Sequence, residues 1–205
     1  MKLVEMEPVV EGLYASAATP MPFGRDLEMR AFLLERATGN LLIYGAPGTS
    51  DVDGVWRHYL NHWHEAAFAE DTGAPLFVHA ADRAEVEKER HVRAAFSRRH
   101  MLDDDVEVIP TPGHTPGATA YLWDTGEHRI LFTGDTIYLR DGEWRTAVLD
   151  SSDPEAYRDS LALIRELDFD VLVPWIASGP HYAMTDREDA RGRIDALIDR
   201  IGSTR

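Results

Sequence analysis

Apolar residues gather along this chain in short runs divided by turn formers, a pattern of strands more than of long helices. Arg30 to Glu35 and Asn40 to Tyr44 are two such runs, and Thr38-Gly39 between them predicts a hairpin. A short strand is expected to end near Leu60. Ala66 to Glu70 reads as helical and breaks at Gly73, Pro75 to Val78 reads as a buried strand, and the charged stretch Arg83 to Arg99 reads as helical. The second half repeats the style. Val106 to Ile109 is a strand stopped by Pro110, and Ala118 to Trp123 and Arg129 to Phe132 are strands joined through Asp124 to Glu127. A helix is expected near Ser152, where Ser152 and Glu155 form a capping-box pattern and Pro154 suits the first turn. Tyr157, Leu161, Ile164 and Leu167 follow at helical spacing, Val171 to Val173 is a further strand, and Ile194, Leu197, Ile198 and Ile201 mark a final helix. Two sheets packed face to face with helices outside satisfy this order of elements.

The 205 residues, with no internal repeat and no Pro/Gly/Ser-rich linker, are expected to form one domain over 1–205. The hydrophobic fraction is that of a globular chain, and no apolar stretch is long enough to cross a bilayer. Met1 to Glu5 lacks the build of a secretory signal, so a cytoplasmic location is expected, with no membrane partner. The formal net charge of -15 argues against nucleic acid, which needs clustered Lys and Arg. Monomer and homodimer are both compatible with the chain. Lys2 and Lys88 are the only lysines, and the Asp-rich surface resembles that of salt-adapted proteins; an ordinary acidic protein is the plainer reading. Such a surface repels itself at low ionic strength, so the melting temperature is expected to rise from low to molar salt. A melting temperature independent of salt refutes the adaptation.

Cysteine is absent, so any metal must be held by histidine and carboxylate. His62-Trp63-His64 follows an apolar run, and in extended backbone residues two apart share a side. Alone, a His-x-His pair is more often ordinary surface. His114 stands in Thr111-Pro112-Gly113-His114-Thr115-Pro116-Gly117, where two prolines and two glycines fix a tight turn around one imidazole. Asp135 closes Phe132-Thr133-Gly134-Asp135-Thr136, and a turn or cap aspartate is its plainer role.

These four residues, in this order, resemble the metallo-β-lactamase superfamily, and the two longer motifs look like those of its glyoxalase II-type members. The resemblance implies an α+β fold, an αββα sandwich of two mixed β-sheets flanked by helices, with a metal site at one edge. It maps the superfamily's first-site histidines onto His62, His64 and His114 and its bridging aspartate onto Asp135. The superfamily motif H-x-H-x-D-H reads here His62-Trp63-His64-Glu65-Ala66-Ala67, and Val173 to Ala177 stands where its last histidine sits. Ala66, Ala67 and Ile176 therefore replace second-metal ligands, and the aspartate that commonly orients the attacking water is missing.

A single divalent ion is expected, zinc first, with iron or manganese as alternatives. Its ligands would be His62, His64, His114 and Asp135. Asp135 and His181 are the catalytic candidates. Glu65 is a further candidate base whose plainer role is a solvated helix-start carboxylate. Trp63, Trp123, Tyr138, Trp144 and Trp175 could line a cleft, although tryptophans more often sit in cores. His79, after a buried strand, reads as a satisfied core histidine; His58, His91, His100 and His128 read as structural or exposed. Three functions fit: a mononuclear metal-dependent hydrolase of a small ester, thioester or lactone, a catalytically inactive binding protein of the same fold, and a redox or oxygen-handling metal site.

Overall fold

A computed structural model describes residues 6–24 and 26–202, and the N-terminal reading at Met1 to Glu5 lies outside them. The chain packs as two compact units, Met1–Ser97 and Arg98–Arg205. In the first, Glu7–Val10, Leu13–Ala15, Phe32–Leu34 and Asn40–Ile43 form an antiparallel meander. Val55–Tyr59, Leu76–His79 and Ala94–Phe96 extend the sheet in parallel. The expected hairpin is present, with Phe32 opposite Ile43 and Leu34 opposite Leu41. Its turn uses Gly39 at φ 112°, a backbone state that costs glycine little.

At the end of Asn40–Ile43 the chain turns through Tyr44, a buried residue at φ 71°. The Tyr44 carbonyl lies 2.8 Å from His58 Nε2, so that nitrogen donates. His58, not His79, is thus the core histidine. His79 is half-buried at a strand end, where its Nδ1 accepts from the Ala81 amide. Burial lowers the His58 pKa to about 4 from 6.5. The folded state therefore binds fewer protons than the unfolded chain. The stability from neutral His58 is complete above pH 6.5 and is lost as pH falls toward 4, on the order of 3 kcal/mol in all. His58→Gln is expected to flatten the fall of melting temperature between pH 7 and 4.5. An unchanged pH profile contradicts this.

The second unit is built on Val106–Pro110, Thr119–Asp124 and Arg129–Gly134, an antiparallel set flanked by His100–Leu102. Val171–Pro174 pairs parallel to Arg129–Gly134 and antiparallel to Ala183–Met184. A hairpin of Tyr138–Arg140 and Glu143–Arg145 is joined in parallel by Ile176–Ser178. Helices Pro154–Glu166 and Arg187–Gly202 cover one sheet face. Tyr157, Leu161, Ile164, Ile194 and Leu197 pack there with Leu131 and Leu172. Trp123, Trp144 and Trp175 are buried core residues. Among the described residues, no helix is long and apolar enough to cross a membrane.

Three expected elements are corrected. The helix expected over Ala66 to Glu70 is a 3₁₀ helix at Trp63–Ala67, started earlier because Glu65 and Asp82 accept its first backbone N–H groups. Arg83 to Arg99 is helical only at Arg83–Val86, and Ala94–Phe96 is a strand, because Leu76–His79 offers it a ladder that outweighs local helix propensity. The helix at Pro154–Glu166 is capped by Asp153 rather than Ser152: Asp153 Oδ1 accepts from Glu155 N at 3.0 Å and Ala156 N at 3.1 Å. The Ser152 hydroxyl instead donates to the His114 carbonyl and accepts from Leu149 N.

Candidate metal centre

In the first unit the strand Val55–Tyr59 delivers the chain to His62, which stands in extended backbone (φ -154°, ψ 169°) as the cap of the 3₁₀ helix Trp63–Ala67. His64 lies one residue inside that helix. The two histidines do not share an extended strand, as their spacing suggests. The tight 3₁₀ turn brings them together instead, with ring centroids 5.0 Å apart and planes at 84°. Trp63 tilts against His64 with its centroid 3.9 Å away, and its indole packs on the apolar cluster of Leu60, Ala66, Ala69 and Val78.

Glu65 is not solvated; it is 0 % exposed. Its Oε1 accepts from Asn61 N at 3.0 Å and His62 N at 3.2 Å, and its Oε2 accepts from Gly45 N at 3.1 Å. His62 Nδ1 lies 2.9 Å from Oε1 and 3.0 Å from Asn61 Oδ1. Gly45 is required where it stands, since a Cβ there would sit 2.6 Å from the Glu65 carbonyl oxygen. The sequence concealed this role because one of the donors lies 20 residues upstream.

In the second unit, the turn at 111–117 closes through Thr111 N to Ala118 O at 2.7 Å and Gly113 N to Thr115 O at 3.1 Å. It is also bolted to the helix Pro154–Glu166: Ser160 Oγ donates to Pro112 O at 2.6 Å, and Asp153 N to Gly113 O at 2.9 Å. His114 is buried, and its Nδ1 donates to the Ala147 carbonyl at 2.6 Å, which leaves the lone pair on Nε2. Burial lowers the His114 pKa, opposed by that hydrogen bond.

Asp135 follows the strand Arg129–Gly134, and its Oδ2 lies 3.6 Å from His114 Nε2. Burial raises its carboxyl to about 7, a shift that a cation beside it would reverse. The buried Tyr157 hydroxyl ties both segments. It bonds the Thr136 and Asp135 carbonyls at 2.8 and 3.0 Å and accepts from Ala147 N at 3.2 Å. Periodicity marks Tyr157 only as a core position.

The structure therefore pairs His62 with His64 and His114 with Asp135. His181 lies half-buried on the bend before Ala183–Met184. Ala66 is buried, Ala67 exposed, and Ile176 buried in Ile176–Ser178, and none of the three offers a ligand atom.

The sequence profile of the metallo-β-lactamase superfamily matches residues 37–174, more than half of the chain. No curated protein matches in sequence. Among solved structures, a metallo-β-lactamase from Pontibacter korlensis is similar at 14% identity and TM-score 0.72, over 98% of this chain and 99% of that one. A Pseudomonas aeruginosa metallo-β-lactamase in mono-zinc form is similar at 14% identity and TM-score 0.70, over 97% and 96%. An archaeal superfamily protein from Sulfolobus tokodaii aligns at 14% identity and TM-score 0.64, over 95% and 87%. The α+β fold expected from the motifs is the fold found.

Proposed function

This chain belongs to the metallo-β-lactamase superfamily, and on that premise we propose that His62, His64 and His114 hold one divalent metal ion in a mononuclear hydrolase of a small ester, thioester or lactone. The geometry within each unit supports the proposal: His62 and His64 stand with ring centroids 5.0 Å apart, and His114, its Nδ1 bonded to the Ala147 carbonyl, keeps the Nε2 lone pair beside Asp135. The donor set fits: neutral imidazoles suit borderline ions such as zinc, and Ala147 and Glu65 each hold an Nδ1 so that Nε2 is the donor. Iron and manganese suit the same set. A single ion is favoured because Ala66, Ala67 and Ile176 supply no lone pair.

When bound, such an ion supplies Lewis acidity for polarising a carbonyl oxygen. Around it, Ala147 and Glu65 fix the rings, and Trp63 excludes water from one face of His64. Asp135, buried beside His114, is assigned the proton taken from the nucleophile, or a fourth ligand position. His181 is assigned proton delivery to the leaving group. A small-molecule substrate and a cytoplasmic setting complete this reading.

A catalytically inactive binding protein is the second reading. It is favoured by Ala66, which packs into an apolar cluster at the place of a water-orienting aspartate. A panel of esters, thioesters and lactones, run on the wild type and on His114→Ala, decides between them. At least a hundredfold loss of hydrolysis in the variant supports the hydrolase. No turnover by the wild type leaves the binding protein, and equal turnover by both proteins removes the metal mechanism.

A further inference from the structure

We propose that Glu65 is a positioning residue that locks the His62 ring so that Nε2, and not Nδ1, is offered to the metal. The inference rests on the reading of His62 as a ligand. Glu65 lies inside the first motif, where it replaces neither a superfamily ligand nor the water-orienting acid. Its own geometry carries the assignment.

An exposed glutamate at the third position of a short helix caps one backbone N–H at most. Glu65 is fully buried and gathers three, from Gly45, Asn61 and His62. These bonds fix the carboxylate from two directions, the strand-end loop at Gly45 and the helix start. Oε1 is thereby held 2.9 Å from His62 Nδ1. A carboxylate oxygen that already accepts two N–H bonds offers the ring an acceptor, so Nδ1 carries the hydrogen and Nε2 the lone pair. The Asn61 side-chain oxygen at 3.0 Å reinforces the same tautomer. A carboxylate hydrogen-bonded to the far nitrogen of a ligand imidazole also raises its basicity as a donor.

Burial and this set of donors also remove Glu65 from proton transfer. A general base must reach the substrate, and both Glu65 oxygens are turned toward the chain that builds the site.

Glutamine tests this well because it keeps the length and loses the symmetry. In either orientation its NH2 group faces at least one backbone N–H that the carboxylate now accepts. Two measurements are made on the metal-free protein and its Glu65→Gln variant: zinc affinity by competition with a chromophoric chelator, and the His62 tautomer by ¹⁵N NMR of the ring nitrogens. The wild type is expected to show Nδ1–H at His62, and the variant to bind zinc 10- to 100-fold more weakly. Wild-type zinc affinity in a folded Glu65→Gln variant overturns the proposal. If that variant does not fold, the wild-type spectrum decides, and Nε2–H at His62 overturns the lock. If the wild type binds no zinc, iron or manganese, the metal reading fails, and the His62 tautomer still decides the role of Glu65.

Discussion

Gly113→Ala is expected to be strongly destabilising. Gly113 sits at φ +139°, a conformation that side chains rarely adopt, and a Cβ there would lie 2.4 Å from Tyr157 Cα and 2.6 Å from Tyr157 N. Those atoms are helix backbone and cannot rotate aside as a side-chain tip could. The helix start must move away from the turn at 111–117, breaking the bonds of Asp153 N to Gly113 O and Ser160 Oγ to Pro112 O. A cost above about 3 kcal/mol follows from strain and overpacking together. For a chain of this size that lowers the melting temperature by roughly 10 °C. Gly126→Ala is the control. Gly126 also has positive φ, at +88°, but its Cβ would meet nothing within 4 Å, so only about 1 kcal/mol is expected. Equal melting temperatures for the two variants would refute the close-approach argument.

Tyr157→Phe is the second large effect. The lost hydroxyl leaves the Asp135 and Thr136 carbonyls short of a donor, and Ala147 N keeps only its longer bond to Asp135 O, at 3.4 Å. Each buried group left short costs about 1–3 kcal/mol, so a total near 3 kcal/mol is expected. The change also loosens the 146–148 segment, whose Ala147 carbonyl orients His114. A drop in zinc affinity should therefore accompany the drop in stability. Loss of stability with unchanged zinc affinity would confine Tyr157 to the core. Unchanged stability would mean that the hydroxyl network contributes nothing.

The parts of the fold that were legible in the sequence are those fixed by neighbours. The runs on either side of Thr38-Gly39 form their hairpin because alternation and turn chemistry agree within a dozen residues. Helix Pro154–Glu166 follows from the spacing of Tyr157, Leu161 and Ile164. Its cap falls one residue beyond Ser152 because Ser and Asp are equally good caps, and only the fold shows that the Ser152 hydroxyl is drawn off to His114 O. Ala94–Phe96 was hidden because Glu and Arg nearby favour helix, whereas its ladder partner lies at Leu76–His79.

The same division runs through the site. His62, His64, His114 and Asp135 could be picked out as candidate ligands because their motifs are compact. The groups that hold them could not. Glu65 acts through Gly45, and Tyr157 acts through Asp135, Thr136 and Ala147, partners that only the folded chain assembles.

Metal content tests the central claim most directly. Protein prepared metal-free, titrated with zinc and freed of excess, is expected to hold about one ion per chain, and His62→Ala and His114→Ala are expected to hold far less. No bound zinc, iron or manganese in the wild type would contradict a three-histidine centre. Two ions per chain would contradict a mononuclear one.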